Sequence, residues 1–221
     1  MEDVFGINEP HDGLNWDDAN GNGDELETET RKQSEVDFKG EDGLVKGKDL
    51  IACCSKTAHN WAASFEGAKT VGSFGQTHFR LLAATISGRA VAMVCQPLIA
   101  RGTAPDQYQC NIMATRLLAM RPATVTVLDD HHTVAPHSEL EGPLSITLND
   151  TGECTPAPAA TIGTGLAAAL VERALAAGVP FEAVLATSGP AEFFSHPKLM
   201  DEEARGRLKA VTQATERGIY V

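Results

Sequence analysis

The chain has 221 residues, enough for one domain of moderate size with a sizeable core. Its formal net charge is −12, and residues 1–49 contribute −10 of it, with 15 acidic against 5 basic side chains. The remainder holds 15 acidic and 13 basic side chains, so the body lacks the positive stripe that phosphate backbones attract, and nucleic acid is excluded as an expected partner.

The chain also lacks the patterns of secreted and membrane proteins. Its first residues do not combine a basic start with an apolar run, and the longest apolar stretch, Leu166 to Val179, is interrupted by Glu172 and Arg173. The five cysteines form neither a disulfide framework nor a C-x-x-C pair. We therefore expect no membrane partner and a reducing, cytoplasmic setting, with the nucleus as a second compartment.

The N-terminal part differs in composition from the rest. Residues 1–45 combine acids with Gly, Asn and Thr and carry only scattered apolar side chains. Such a segment cannot bury enough surface to offset its ordering entropy, so it is predicted to be disordered. We expect an α/β domain over residues 46–216 and a short C-terminal tail over residues 217–221.

The first half of the domain is predicted to contain three strands and one helix. The strands are expected at Asp49–Cys54, Leu81–Ile86 and Arg89–Cys95, the last two forming a pair. Ser55 is the expected N-cap of a helix that runs to Phe65. Residues 66–80 are rich in glycine and predict no clear element.

The middle of the domain begins with a helix opened by Pro105. Its apolar face is predicted to hold Tyr108, Ile112, Leu117 and Met120. A strand over Ala123–Leu128 follows and ends at Asp129-Asp130. Residues 131–161 are predicted to be a long loop with one short strand near Leu144–Leu148.

The last part contains a helix, a strand and a final helix. Leu166–Ala177 is the first of these helices and is stopped by Gly178, after which Phe181–Ala186 is a strand. The final helix starts near Asp201, and one face of it carries Ala204, Leu208, Val211 and Thr215. The alternation of strands and helices predicts a single three-layer α/β/α domain with a mainly parallel sheet.

Four short motifs could carry chemistry. Asp129-Asp130-His131-His132 follows a strand, where open α/β sheets place ligands, but neighbouring side chains of an extended chain alternate in direction. Thr161–Gly165 before a helix could cradle an anion, although it lacks the dinucleotide and P-loop spacings. Ser188 lacks a nucleophile elbow, and Cys53-Cys54 should be buried and inert. We expect no catalytic residue, metal site or cofactor.

The C-terminal residues Gly218-Ile219-Tyr220-Val221 suit insertion into a socket on another protein. Ile219 is apolar, Tyr220 offers a ring with a hydroxyl, and Val221 bears the free carboxylate that a lysine could pair with. Gly218 would separate these residues from the last helix. The end resembles the C-terminal hydrophobic-tyrosine-any-residue motif (the HbYX motif) of proteasome activators and assembly chaperones.

With this tail, the body resembles the proteasome assembly chaperone family, and within it the chaperone 1 type. The residues that carry the resemblance are Asp49–Cys54, Ala58–Phe65, Val91–Gln96, Pro105–Gln109, Ala123–Leu128 before His131–Val134, the Leu166 helix with Val179-Pro180, and Ile219-Tyr220. Their order and approximate spacing hold over residues 46–221.

The resemblance implies a non-catalytic chaperone that forms a heterodimer with proteasome assembly chaperone 2. It implies that the pair sits on the alpha subunits of the proteasome core particle during assembly of the alpha ring. Each partner would insert its tail into an intersubunit pocket. In this chain Ile219 would fill an apolar recess, Tyr220 would bury its ring, and the Val221 carboxylate would form a charge-assisted contact.

Two alternatives remain open from the sequence. One is a small α/β enzyme of the nucleoside-phosphorylase-like or hydrolase-like type, which would use Asp129, His131 and the Gly163–Gly165 loop. The other is a different adaptor, similar to proteasome activators, that uses the same tail.

Overall fold

In the computed structural model the described residues are 36–40, 42–75, 77, 79–95, 105–130, 146–149, 154–155, 165–187 and 189–216. The strands among them are β1 (Phe38–Gly40), β2 (Asp49–Cys53), β3 (Lys69–Phe74), β4 (Arg80–Ile86), β5 (Arg89–Cys95), β6 (Thr124–Asp130), β7 (Ile146–Asn149), β8 (Cys154–Thr155) and β9 (Phe181–Ala186). The helices are α1 (Lys56–Ala62), α2 (Gln107–Ala119), α3 (Leu166–Ala177) and α4 (Glu202–Glu216), with 3-10 turns at Asp42–Leu44 and Pro190–Ser195.

All nine strands belong to one sheet, in the order β1-β3-β4-β5-β2-β6-β9-β7-β8. The four central strands, β5, β2, β6 and β9, are parallel to their neighbours in this group. The strands added on both sides pair antiparallel. Parallel pairing thus occupies the buried centre of the sheet, where both faces need apolar side chains.

Two hydrophobic cores lie on opposite faces of this sheet. Leu50 and Ala52 of β2 belong to the core that contains residues of α2 and α3. Ile51 and Cys53 alternate with them and belong to the second core, with residues of α1, the Pro190–Ser195 turn and α4. Because successive residues of a strand point to opposite faces, one short apolar run supplies both cores. The predicted three-layer α/β class is confirmed.

Local signals in the sequence set several element ends correctly. The Ser55 side chain accepts a hydrogen bond from the Ala58 N–H at 3.1 Å, as predicted for an N-cap. Gly178 ends α3 with a φ of 63°, a left-handed conformation that glycine adopts without a steric penalty. The predicted pairing of β4 with β5 is also confirmed.

The predicted apolar face of α2 is wrong in part. Leu117 and Met120 are buried, but Tyr108 is exposed and Ile112 is half-buried. The buried face of the helix consists of Cys110, Met113, Ala114 and Leu117. This helix carries apolar residues on several sides, so its periodicity alone could not select the side that meets the sheet.

The domain also begins earlier than residue 46. Val36 and Val45 are fully buried in the first core, and β1 pairs with β3 at the edge of the sheet. Residues 36–40 and 42–45, assigned above to the acidic segment, are thus part of the fold. The glycine-rich stretch holds β3, where Gly72 lies so close to the Phe38 ring that a methyl group would overlap it.

Candidate functional site

The predicted partner-binding residues Ile219, Tyr220 and Val221 lie outside the described residues, as does Gly218. The structure does describe the helix that leads to them, α4, which ends at Glu216. Ala204 and Leu208 of this helix are buried in the second core, as their spacing predicted. The side chains of Val211 and Thr215 lie outside the described set.

The start of α4 is joined to the tip of the β4–β5 hairpin. Asp201 precedes the helix, and its Oδ1 accepts a hydrogen bond from the Ala204 N–H at 3.0 Å. Its Oδ2 accepts another from the Ser87 N–H at 2.9 Å, while the Ser87 hydroxyl donates to the Met200 carbonyl at 2.6 Å. These backbone N–H donors, above all that of Ala204, lower the pKa of Asp201. One carboxylate therefore caps the helix and attaches it to the hairpin.

A second attachment lies two turns along α4. Arg207 Nε donates to the Ser64 carbonyl at 2.7 Å, and its Nη1 donates to the Glu203 carboxylate at 2.6 Å. Ser64 follows α1, so this guanidinium joins the tail-bearing helix to another part of the domain. The sequence could have indicated the Asp201 cap through its position before Glu202 and Glu203, but nothing local indicates the Arg207 contact.

The turn that precedes α4 is held by a small charged cluster around Glu182 of β9. The Glu182 carboxylate lies 3.1 Å from His196 Nε2 and 3.1 Å from Lys198 Nζ. The hydrogen bond from His196 is the largest cause that lowers the pKa of Glu182 to about 2. Arg89 Nη2 also donates to the Lys198 carbonyl at 2.7 Å, which ties this turn to β5.

Asp129 and Asp130 lie at the carboxyl end of β6, as predicted for the alternative enzyme site. Asp129 is buried and its Oδ1 accepts from the Asp130 N–H at 2.9 Å. The Ser55 hydroxyl donates to Asp130 Oδ1 at 3.1 Å, whereas His59 Nε2 donates to the Cys53 carbonyl at 2.8 Å. Serine and histidine thus have separate acceptors here, unlike the nucleophile and base pair of an acyl-transfer site.

The remaining residues of that alternative site are mostly outside the described chain. His131, Gly163 and Thr164 belong to ranges without a described placement, as does His132 beside them. Gly165 is described with a φ of 82°, and its N–H donates to the Gln107 side chain at 3.0 Å, which ties the start of α3 to the start of α2. Within the described ranges, no three His, Cys, Asp or Glu side chains are grouped to hold a metal ion.

The described cysteines near the alternative enzyme site are not activated as nucleophiles. Cys53 is buried and Cys54 is half-buried, and burial raises the pKa of both thiols well above the usual value. Burial also raises the pKa of Cys95 and of Cys110 to about 11. A thiol with such a pKa is almost wholly protonated near neutrality, so the prediction that Cys53 and Cys54 are inert agrees with their surroundings.

A surface groove of about 430 Å³ lies between β1 and the last turns of α2. It is lined by Asp37, Phe38, Lys39, Arg116, Ala119 and Met120. Arg116 and Asp37 form an ion pair of 3.7 Å in it. Neither Asp129 nor Gly165 lines this groove, so it does not join the residues of the alternative enzyme site.

None of the helices that the structure describes is both long enough and apolar enough to span a bilayer. No family model matches the sequence, and no curated protein matches it. Similarity appears instead in the comparison with solved structures, where this chain aligns over most of its length with several proteins.

Three of these structures are similar to the present fold. A protein of unknown function from Corynebacterium glutamicum aligns with a TM-score of 0.55 and 8% identity, over 81% of this chain and 89% of that chain. PbaB from Pyrococcus furiosus, an archaeal proteasome activator, aligns with a TM-score of 0.53 and 12% identity, over 85% and 91%. PbaA from the same organism, an archaeal homolog of proteasome-assembly chaperone, aligns with a TM-score of 0.50 and 12% identity, over 84% and 87%. At these identities the likeness shows that this chain shares their fold.

Proposed function

We propose that this protein is a non-catalytic chaperone of proteasome assembly. In this proposal it pairs with proteasome assembly chaperone 2 and acts on the alpha subunits of the core particle. The observation that carries the proposal is the fold shared with PbaB and PbaA over 84–85% of the chain, and the Ile219-Tyr220-Val221 sequence fits the same role. A fold alone does not specify a function, and the tail supplies the chemistry that a partner would recognise.

The tail would act as a plug for a pocket between two alpha subunits. Ile219 and Tyr220 would bury their apolar surface in the pocket, and the Val221 carboxylate would pair with a basic group there. A single plug of three residues binds weakly. Two plugs on one heterodimer gain from a high effective concentration, so the pair can hold neighbouring subunits together and still dissociate.

Support for a non-catalytic role comes from the carboxyl ends of the parallel strands, where an enzyme of this class would place its site. The described polar groups there bond to one another or to the backbone, as with Ser55 and Asp130 or His59 and Cys53. Burial lowers the pKa of His59, so this ring is not held protonated to stabilise an anion. These contacts have a structural explanation that requires no substrate.

The decisive experiment is a binding assay with two changes at the tail. Tyr220→Ala removes the ring, and one residue added after Val221 moves the carboxylate away from its contact. Each change is expected to weaken binding to purified core particles about tenfold or more, because a buried aromatic anchor and a charge-assisted contact are each lost. Competition with a fluorescent peptide of residues 212–221 gives the affinity.

Tyr108→Ala is the matched control, because Tyr108 is the chain's other tyrosine and is exposed on α2. This variant should bind core particles as the unmodified protein does. The two tail variants should keep the melting temperature of the unmodified protein. Equal affinity of the Tyr220→Ala, extended and unmodified proteins would refute the proposed mechanism.

A further inference from the structure

We propose that Asp201 and Arg207 are positioning residues that hold α4 in one direction on the domain, and that this fixed direction of α4 strengthens binding through the tail. The consequence of these contacts for binding rests on the proposed function, in which the tail enters a pocket.

Each residue joins α4 to a different part of the domain. Asp201 bonds to the tip of the β4–β5 hairpin through the Ser87 N–H at 2.9 Å. Arg207 bonds to the Ser64 carbonyl at 2.7 Å, after α1. Two attachments separated along a helix fix its direction, whereas one attachment would let it pivot. Burial of Ala204 and Leu208 holds the same stretch against the core.

The position of these contacts makes the direction of α4 important for the tail. Glu216 lies nine positions after Arg207, which corresponds to about 13 Å along the helix axis at about 1.5 Å per residue. A small tilt at the attached end is therefore enlarged at the end that leads to Ile219. For a plug that must reach a pocket, a fixed direction reduces the conformational freedom lost on binding.

The backbone conformation of the β4–β5 hairpin tip allows Ser87 to contact the start of α4. Ser87 and Gly88 have φ values of 47° and 80°, the left-handed conformations of a tight two-residue hairpin turn. This turn directs the Ser87 N–H toward Asp201, and the Ser87 hydroxyl reaches the Met200 carbonyl at 2.6 Å. A serine that adopts this conformation is uncommon, and both its N–H and its hydroxyl hold the start of α4.

Asp201→Asn and Arg207→Ala separate positioning from folding. Asparagine retains an oxygen that can accept from the Ala204 N–H, so the helix cap persists, but its amide group cannot accept from the Ser87 N–H. Arg207→Ala removes the bond to Ser64. Arg205→Ala is the matched control, because Arg205 also forms an ion pair within α4, with Glu202 at 3.5 Å, and is 43% exposed.

Two measurements on the full chain test the inference. Hydrogen exchange of the α4 amides is expected to speed up by about three- to tenfold in Asp201→Asn and Arg207→Ala, because the helix opens more readily from the domain. Binding to core particles, measured by competition with the 212–221 peptide, is expected to weaken by about three- to tenfold. Arg205→Ala should change both quantities by less than about twofold.

Arg207→Lys serves as the conservative variant. It keeps a cation and an N–H donor for the Ser64 carbonyl but loses the planar fork, so it should recover part of the lost affinity. The melting temperature of the whole domain serves as the check on folding. If Arg207→Ala lowers it, Asp201→Asn alone still decides the result, since this change leaves the helix cap in place.

The outcomes separate this inference from the proposed function. The inference is overturned if the α4 amides exchange at an unchanged rate in both Asp201→Asn and Arg207→Ala. It is also overturned if exchange is faster but binding to core particles is unchanged in these variants, while Tyr220→Ala binds weakly. Unchanged binding of Tyr220→Ala overturns the proposed function and, with it, the role of α4 in positioning the tail. The inference is supported if both variants show faster exchange of the α4 amides and weaker binding to core particles, while Arg205→Ala changes neither quantity.

Discussion

Glu182 offers a quantitative test of how the turn before α4 is held. Its side chain is 18% exposed and contacts His196 and Lys198, each at 3.1 Å. The hydrogen bond from His196 is the main cause that lowers the pKa of Glu182 from 4.5 to about 2. Glu182→Gln removes the negative charge and keeps the shape of the side chain, so it isolates the contribution of the carboxylate.

The magnitude follows from the pKa shift. A pKa that falls from 4.5 in the unfolded chain to about 2 in the folded chain corresponds to about 3 kcal/mol of stability. A carboxylate with a lowered pKa contributes fully above its unfolded pKa and loses the contribution as the pH falls through its folded pKa. The stabilisation should therefore be present in full near pH 5.5, decrease between pH 5 and 2, and vanish below that range.

The assay is urea denaturation of the protein and of Glu182→Gln between pH 2 and 7. We expect the two free energies of unfolding to differ by about 3 kcal/mol at pH 5.5 and to converge at low pH. Other carboxylates titrate in the same range, but they do so in both proteins and cancel in the difference. Glu66→Gln, in an exposed turn, is the control and should change stability by less than about 0.5 kcal/mol at every pH. A difference for Glu182→Gln that stays constant as the pH falls would refute the reasoning.

Two further predictions concern packing and thiol reactivity. Leu170→Ala should lower the free energy of unfolding by about 2–5 kcal/mol because Leu170 is fully buried in α3. Leu175→Ala on the same helix, where the side chain is 62% exposed, should lower it by less than about 1 kcal/mol. A similar loss at both positions would contradict the described packing. In a Cys154→Ser background, Cys95 should react with iodoacetamide at pH 8 roughly 100-fold more slowly in the folded protein than in guanidinium chloride, because burial raises the pKa of its thiol from 9.0 to about 11. Mass spectrometry of the alkylated protein measures this ratio, and equal rates would show that the thiol is not protected.

The sequence predicted the elements whose signals are local. β2 and β9 are short apolar runs, and a strand covered on both faces needs no other pattern. The start of α1 follows from a serine that accepts a backbone hydrogen bond, and the end of α3 from a glycine that adopts a positive φ. In each case the residues that determine the structure lie within a few positions of one another. The predicted end of α1 at Phe65 is wrong, since the helix ends at Ala62.

The edges of the sheet were harder to predict because they depend on pairing. β1 has only three residues, one of them apolar, and β3 contains a glycine whose lack of a side chain admits the Phe38 ring. Neither stretch has the alternation of a half-buried strand, so each is recognisable as a strand only beside its partner. The apolar face of α2 was misassigned for a related reason, since the neighbouring sheet decides which side of an apolar helix is buried.

For the candidate site, the composition of the tail and the amphipathic spacing of Ala204 and Leu208 in the helix before it can be recognised from the sequence. The way that helix is attached to the domain depends on contacts that the fold creates. Ser87 and Asp201 are separated by 114 residues and Ser64 and Arg207 by 143, so no local pattern links the partners of either bond. A hydrogen bond between distant residues requires that the fold bring donor and acceptor within about 3 Å, and propensity, periodicity and capping describe only neighbours along the chain.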